Sequence, residues 1–164
     1  MSQAARTVDI TDATGRLTQA DLDWLTQMAG RALEVQNLTG ALSARIVADA
    51  EMAAAHAEFC GVEGTTDVIT FDLTDPEDNA PAKRIVEADL ILCLDEADRQ
   101  AKARGHEARR ELLLYIIHGV LHCLGHDDHE ETTYAKMHAE EDRLLTLLGV
   151  GATFNRDTAA RGGA

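Results

Sequence analysis

The chain has 164 residues, 45% of them hydrophobic, which suits one domain folded around one core. Its net charge of −14 disfavours indiscriminate binding to nucleic acid, because a negative surface repels phosphates. No apolar run reaches the roughly 18 residues of a membrane span and the N-terminus carries no hydrophobic signal region, so we expect a cytoplasmic protein.

The spacing of apolar residues predicts four strands and five helices. Thr18 and Asp21 form a capping box that opens the first helix, Asn37 to Gly40 end it, and Asp49 is predicted to cap the second helix. In chain order we predict a strand at 6–12, a helix at 18–36, a strand at 41–48, a helix at 49–59, strands at 67–73 and 85–94, and helices at 95–104, 107–124 and 130–148. Residues 74–84, with two prolines and many charges, are predicted to form an exposed loop.

This order predicts a single-domain α+β fold, with a small mixed four-stranded sheet packed against about five helices. We assign the domain to residues 1–149 and expect 150–164, which are small and polar, to form a disordered tail. The helix at 107–124 is almost entirely apolar, so it should be buried near the end of the domain.

The cysteines argue against a disulfide framework. There are three, Cys60, Cys93 and Cys123, spaced about thirty residues apart with no CxxC pair. An odd number at this spacing is typical of a reduced, cytosolic protein. We expect Cys60 and Cys93 to be small buried hydrophobic residues.

Positive charge concentrates in one stretch of this acidic chain. It comprises Arg99, Lys102, Arg104, His106, Arg109 and Arg110. Such a stretch can steer a polyanion, although a solvated helix face explains the same pattern.

Histidines cluster in the segment LLLYIIHGVLHCLGHDDHEE, where His118 and His122 lie four residues apart in an apolar helical run. Four residues make about one helical turn, so both imidazoles lie on the same side of the helix. One helix offers two nitrogen ligands to one metal ion by this spacing. A packed core residue explains a lone histidine, but burying two imidazoles without partners costs on the order of several kcal/mol. The pair therefore predicts a metal site.

Gly125 is predicted to stop this helix, because glycine readily takes the left-handed conformation that reverses the chain. The reversal brings the following residues back toward the two imidazoles, and one of them can supply a third ligand. Three protein ligands leave a position for water, which is typical of a catalytic zinc site. The residue after His118 is Gly119, where HExxH peptidases have their glutamate base, so a peptidase of that kind is disfavoured.

Three segments resemble the YbeY family, single-domain bacterial endoribonucleases also called rRNA maturation factors. His118 to Asp127, HGVLHCLGHD, is similar to the family's zinc motif. TDVITF at 66–71 and ADLILC at 88–93 are similar to two of its strands, in the same order and at the same spacing. The resemblance covers roughly residues 6–148.

Two positions depart from the family pattern. Where the family has its third zinc-binding histidine this chain has Asp128, and a histidine follows one position later. We predict His129 as the third ligand, with Asp128 and His126 as alternatives, because imidazole suits zinc well and carboxylate also binds it. Cys60 stands where the family has an arginine linked to nuclease activity. Another cation, from the Arg99–Arg110 stretch, would then have to bind phosphate.

The resemblance implies a zinc-dependent endoribonuclease that cleaves single-stranded RNA, matures the 3′ end of 16S rRNA and serves ribosome quality control. It implies one Zn²⁺ ion, held by His118, His122 and His129, and as partners precursor rRNA with the small ribosomal subunit or its assembly factors. We predict His118, His122 and Asp127 as catalytic residues, with Asp127 orienting a ligand or the water, or else capping the next helix. The scarcity of aromatic residues, at 4%, predicts weak reading of RNA sequence.

Two other functions stay open. One is a metal-binding ribosome assembly factor with little nuclease activity, which the cysteine at position 60 favours. The other is a zinc peptidase or amide hydrolase, which Gly119 disfavours.

Overall fold

The computed structural model describes residues 5–78, 83–126 and 129–154. Within these ranges the chain forms the four strands and five helices that its periodicity predicts, all within three residues of the predicted ends. They are β1 (Arg6–Asp12), α1 (Gln19–Val35), β2 (Thr39–Val47), α2 (Asp49–Cys60), β3 (Val68–Asp72), β4 (Ile85–Cys93), α3 (Leu94–Arg104), α4 (Ala108–Cys123) and α5 (Glu131–Leu147).

The strands form one mixed sheet in the order β1-β2-β4-β3. β1 pairs parallel with β2, and β2 pairs parallel with β4 from Thr39–Ile85 to Val47–Cys93. β3 pairs antiparallel with β4 and lies at the edge of the sheet. This arrangement confirms the predicted α+β class, and it leaves one side of β3 open beside α4.

Helix α4 is the centre of the core and contacts α1, α3, α5 and the two strands β3 and β4. Five of its large apolar side chains are at most 1% exposed: Leu112, Leu113, Ile116, Ile117 and Leu121. Burying each of them contributes about 1.5–3 kcal/mol. The helix is therefore held rigidly, and any polar side chain that it carries has a fixed position.

Gly119 is the point at which α4 crosses the sheet most closely. A Cβ atom there would lie 2.8 Å from Cδ2 of Leu90 and 2.9 Å from Oγ1 of Thr70. Because no side chain fits in this gap, the glutamate of an HExxH peptidase has no room at this position.

Replacing Gly119 with alanine is expected to destabilise the protein by about 1–3 kcal/mol, because overpacking a core outweighs the gain in helix propensity. Gly30→Ala in α1 is the matched control, since a Cβ at Gly30 meets none of the described residues within 4 Å. That control should instead gain about 0.5–1 kcal/mol. Urea unfolding of both variants measures the difference, and equal stabilities would refute the close-packing explanation.

The prediction that Asp49 caps α2 is wrong, because Ala48 occupies the cap position and its side chain makes no capping bond. Asp49 is the first helical residue, and its N–H donates to Oδ2 of Asp95 at 2.7 Å. Its carboxylate accepts two hydrogen bonds of 2.8 Å from Arg99. These bonds hold the pKa of Asp49 well below its usual range. The side chain thus ties α2 to α3 instead of capping its own helix.

Two other expectations need correction. Cys60 is exposed at the end of α2, whereas Cys93 is buried as predicted. The predicted disordered tail begins too early, because Thr153 is buried and the N–H groups of Thr153 and Phe154 donate to Oδ1 of Asp142 at 2.7 and 3.0 Å. The rest of that predicted tail, 155–164, lies outside the described residues.

None of the helices in the described part of the chain is both long and apolar enough to cross a membrane.

Candidate active site

The two histidines of α4 meet at their outer nitrogens. Nε2 of His118 lies 3.1 Å from Nε2 of His122, and the rings are nearly perpendicular at 84°. Two imidazoles bound to one tetrahedral zinc at 2.0–2.1 Å place their nitrogens about 3.3 Å apart. The observed separation is therefore close to that of two ligands of one cation.

Glu141 of α5 supports this pair from behind. It is completely buried, and its two oxygens lie 2.7 Å from Nδ1 of His118 and 2.9 Å from Nδ1 of His138. An ionised carboxylate only accepts hydrogen bonds, so both Nδ1 atoms must carry the proton. His118 then presents the lone pair of Nε2 toward His122. A carboxylate on the far nitrogen fixes tautomer and ring orientation in this way at metal sites.

Sequence reasoning missed both Glu141 and His138. A signal was present, because Glu141 falls in the helical register of the apolar residues Met137, Leu144 and Leu145 and would have to be buried with them. A carboxylate on an apolar helix face needs a buried partner, and the histidines of α4 were the available candidates.

An open groove of about 680 Å³ lies in front of the histidine pair. Its walls are β3 with the residues just before it, the end of α2, and α4. The predicted ligand His129 lines this groove together with His118 and His122. Cys60 also lines it, and among the described lining residues there is no lysine or arginine.

The remaining predicted site residues are placed differently. Gly125 has φ +96°, which confirms the left-handed stop after α4. His126 follows it, with its N–H bonded to the carbonyl of Leu121, and is not among the described residues that line the groove. Asp127 and Asp128 lie outside the described residues. Within the described ranges, no three His, Cys, Asp or Glu side chains form a group able to hold a metal ion.

The basic stretch is largely occupied by internal ion pairs. Arg99 binds Asp49 of α2, and Nη1 of Arg104 lies 2.8 and 2.9 Å from the two oxygens of the buried Glu111. Arg109 stacks on Trp24, with 4.6 Å from its guanidinium carbon to the ring centroid. These arginines therefore hold the helices together. Their positions do not support the expectation that one of them binds phosphate in the groove in place of the family arginine.

Cys123 lines the groove beside His122 but does not supply a thiolate. Its side chain is buried, and burial raises the pKa of the thiol to about 12, with a smaller contribution from the negative charge of Asp72. The thiol is therefore protonated at neutral pH, which excludes it as a nucleophile there.

Comparisons with known proteins agree with this fold. A family model described as Endoribonuclease YbeY matches residues 5–149. The Endoribonuclease YbeY of Carboxydothermus hydrogenoformans is 33% identical over 129 residues, covering 79% of this chain and 87% of its own length. That of Bacillus pumilus is 32% identical, covering 87% and 95%. A solution structure from Thermotoga maritima, only 18% identical, shares the fold with a TM-score of 0.53 over 87% of this chain and 89% of its own.

The fold and the similar proteins together identify the chain as an α+β endoribonuclease. The chain belongs to the YbeY endoribonuclease family, which confirms the resemblance carried by the three sequence motifs.

Proposed function

We propose that the chain is a zinc-dependent endoribonuclease that cleaves single-stranded RNA in the cytoplasm. The observation that carries this proposal is the 3.1 Å approach of the His118 and His122 Nε2 atoms, backed by the buried carboxylate of Glu141. Membership of the family supports the proposed substrate, precursor 16S rRNA cleaved at its 3′ end, and a role in ribosome quality control. We propose the small ribosomal subunit or its assembly factors as partners.

Zinc fits the donor set found here. The two Nε2 atoms lie 3.1 Å apart, and a cation held between two neutral imidazoles would take one lone pair from each. His129, in the same groove, is the proposed third ligand, with Asp128 and His126 as the alternatives. A bound zinc ion supplies Lewis acidity, which polarises a phosphoryl oxygen and makes hydroxide available at neutral pH.

The protein's own contribution is to position these groups. Helix α4 fixes both imidazoles in the wall of the groove, and Glu141 holds His118 in the tautomer with its proton on Nδ1. The groove is open along β3, so an extended strand of RNA can reach the histidine pair from solvent. We propose that Asp127 orients a ligand or the attacking water.

An RNA-cleavage assay with and without chelator tests the proposal. Purified protein should cut a single-stranded RNA, lose that activity when a chelator removes the metal, and regain it when zinc is added back. A duplex of the same sequence is the control and should resist cleavage. Cleavage that is indifferent to the chelator would refute the metal-dependent mechanism.

Replacing Glu141 with glutamine is expected to weaken zinc binding about 10–100-fold, as is usual for groups that orient metal ligands. An amide has one acceptor oxygen, so its NH₂ group would face an Nδ1–H and force one imidazole into the other tautomer. Competition with a chromophoric chelator measures the affinity. Glu51→Gln is the matched control, because Glu51 pairs with Arg45 at an exposed position of α2 and should leave zinc binding unchanged.

A second candidate function is a metal-binding ribosome assembly factor with little nuclease activity. It is favoured by Cys60 in place of the family arginine and by the lack of lysine and arginine among the described groove-lining residues. Zinc-loaded protein that binds the small subunit but leaves single-stranded RNA intact would establish it. Turnover of peptides without cleavage of RNA would instead favour the peptidase, for which Gly119 provides no general base.

A further inference from the structure

A second cavity of about 250 Å³ lies behind the histidine pair, among α3, α4 and α5. His118 and Asp67 line both this cavity and the main groove, so the two spaces adjoin. A single water needs only about 10–15 Å³ of such space. The cavity is therefore large enough for a flat organic group beside the site of cleavage.

Two buried polar groups that line this cavity have no hydrogen-bond partner among the described residues. They are the hydroxyl of Tyr115, a residue only 4% exposed, and Nε2 of His138. Burial raises the pKa of Tyr115, so its hydroxyl stays protonated and is a donor. Nδ1 of His138 lies 2.9 Å from Glu141, so Nε2 is the ring nitrogen left to meet a ligand in the cavity. Buried groups of this kind are nearly always paired, so two unmet polar atoms in one cavity favour a polar occupant.

The charges around the cavity disfavour a phosphate there. Three carboxylates line it, those of Asp67, Glu96 and Glu141. Arg104 is the one arginine or lysine among its described lining residues, and its charge is already paired with Glu111. A ligand that brings N–H donors is therefore favoured over one that brings negative charge.

Aromatic rings make up one wall of the cavity. The ring of His138 stacks on Phe154 with centroids 3.6 Å apart, and Tyr134 meets His138 edge-on at 4.1 Å. Three of the six Phe, Tyr and Trp residues in the chain line this cavity, although aromatics are scarce elsewhere. Unstacked RNA bases are recognised by such aromatic surfaces together with hydrogen bonds to their edges.

We propose that this cavity is a base subsite, which takes the nucleobase next to the cleaved phosphate and favours bases with an exocyclic amino group over uracil. The inference rests on the proposed function. Amino N–H groups of adenine, cytosine or guanine suit Asp67 and Glu96, whereas the carbonyl O4 of uracil would face the same carboxylates. The Tyr115 hydroxyl and the Gln100 amide supply donors for ring nitrogens or carbonyls.

Binding of free nucleosides tests the subsite without requiring cleavage. Adenosine, cytidine and uridine are titrated into ¹⁵N-labelled protein with chelator present, and amide shifts are followed. We expect adenosine and cytidine to shift amides of α3–α5 and to bind about tenfold tighter than uridine. Asp67→Asn and Glu96→Gln should each reduce that discrimination severalfold, because the NH₂ group of an amide can donate to O4 of uracil, which a carboxylate cannot. Glu34→Gln, the same change as Glu96→Gln at an exposed position of α1, should not.

The same variants are then assayed on a single-stranded RNA in which one position beside the cleavage site is varied. A variant that discriminates less between cytidine and uridine in binding should also discriminate less between cytosine and uracil at the varied position in cleavage. Equal binding of cytidine and uridine, or discrimination untouched by both substitutions, would overturn the subsite even if RNA is cleaved. Nucleoside discrimination that both substitutions reduce, in a protein that cleaves no RNA, would uphold the subsite and refute the proposed function. Melting temperatures check that each variant is folded.

Discussion

Replacing His118 with alanine is expected to remove bound zinc and to lower RNA cleavage by more than about 100-fold. Groups that only orient a metal ligand already cost about 10–100-fold when removed, and a ligand itself should cost more. His118 has two functions here, since its Nε2 faces His122 and its Nδ1–H satisfies one oxygen of Glu141. The alanine variant loses both contacts, so the buried carboxylate of Glu141 has one hydrogen-bond partner fewer.

Metal content by elemental analysis and initial rates on single-stranded RNA measure the two effects. His56→Ala serves as the control for zinc content, because His56 lines the same groove but its Nδ1 lies 2.9 Å from the carbonyl of Gly64. That variant should keep its zinc. An alanine variant of His118 that retains both zinc and cleavage would remove the basis of the proposed mechanism.

Replacing Gly40 with alanine is expected to destabilise the fold by at least about 3 kcal/mol, a large part of a typical total of about 5–15 kcal/mol. Gly40 has φ +119°, a conformation that other residues rarely adopt. A Cβ atom there would lie only 2.0 Å from the carbonyl oxygen of Val86, on the neighbouring strand β4. Since the contact is with backbone, only separation of β2 from β4 can relieve it.

Urea unfolding measures this loss, and Gly15→Ala is its matched control. Gly15 also has a positive φ, of 71°, but a Cβ there meets no atom within 4 Å in the part of the chain that the structure describes. The control isolates the conformational strain, which is about 1–2 kcal/mol. If Gly40→Ala were no more destabilising than Gly15→Ala, the close approach of the two central strands would not be a stability determinant.

Local patterns were sufficient to predict the elements and the first half of the site. The alternation of Leu42, Ala44 and Ile46 marks a strand with one buried face, and all three residues are at most 2% exposed. The interval between His118 and His122 is one helical turn, so their proximity follows from helix geometry alone. The stop at Gly125 likewise depends only on the conformations open to glycine.

Contacts between distant segments could not be predicted in this way. Glu141 reaches His118 across 23 positions in the sequence, because α5 packs against α4. The sequence showed a basic stretch at 99–110, but its charges are satisfied by partners up to 50 positions away, such as Asp49 for Arg99. The exposure of Cys60 also depends on what packs around the end of α2, and periodicity does not report that.

By itself, therefore, the amino-acid sequence determined the family, the α+β class and the paired histidines of α4, since each depends on residue identity or on spacing within one element. Only the tertiary structure decided that a buried carboxylate from α5 sets the tautomer of His118, that internal ion pairs occupy most of the basic stretch, and that an acidic, aromatic-walled cavity adjoins the groove. The physical reason is that hydrogen-bond partners and cavities are made by the packing of whole helices, which brings together side chains that no local pattern connects.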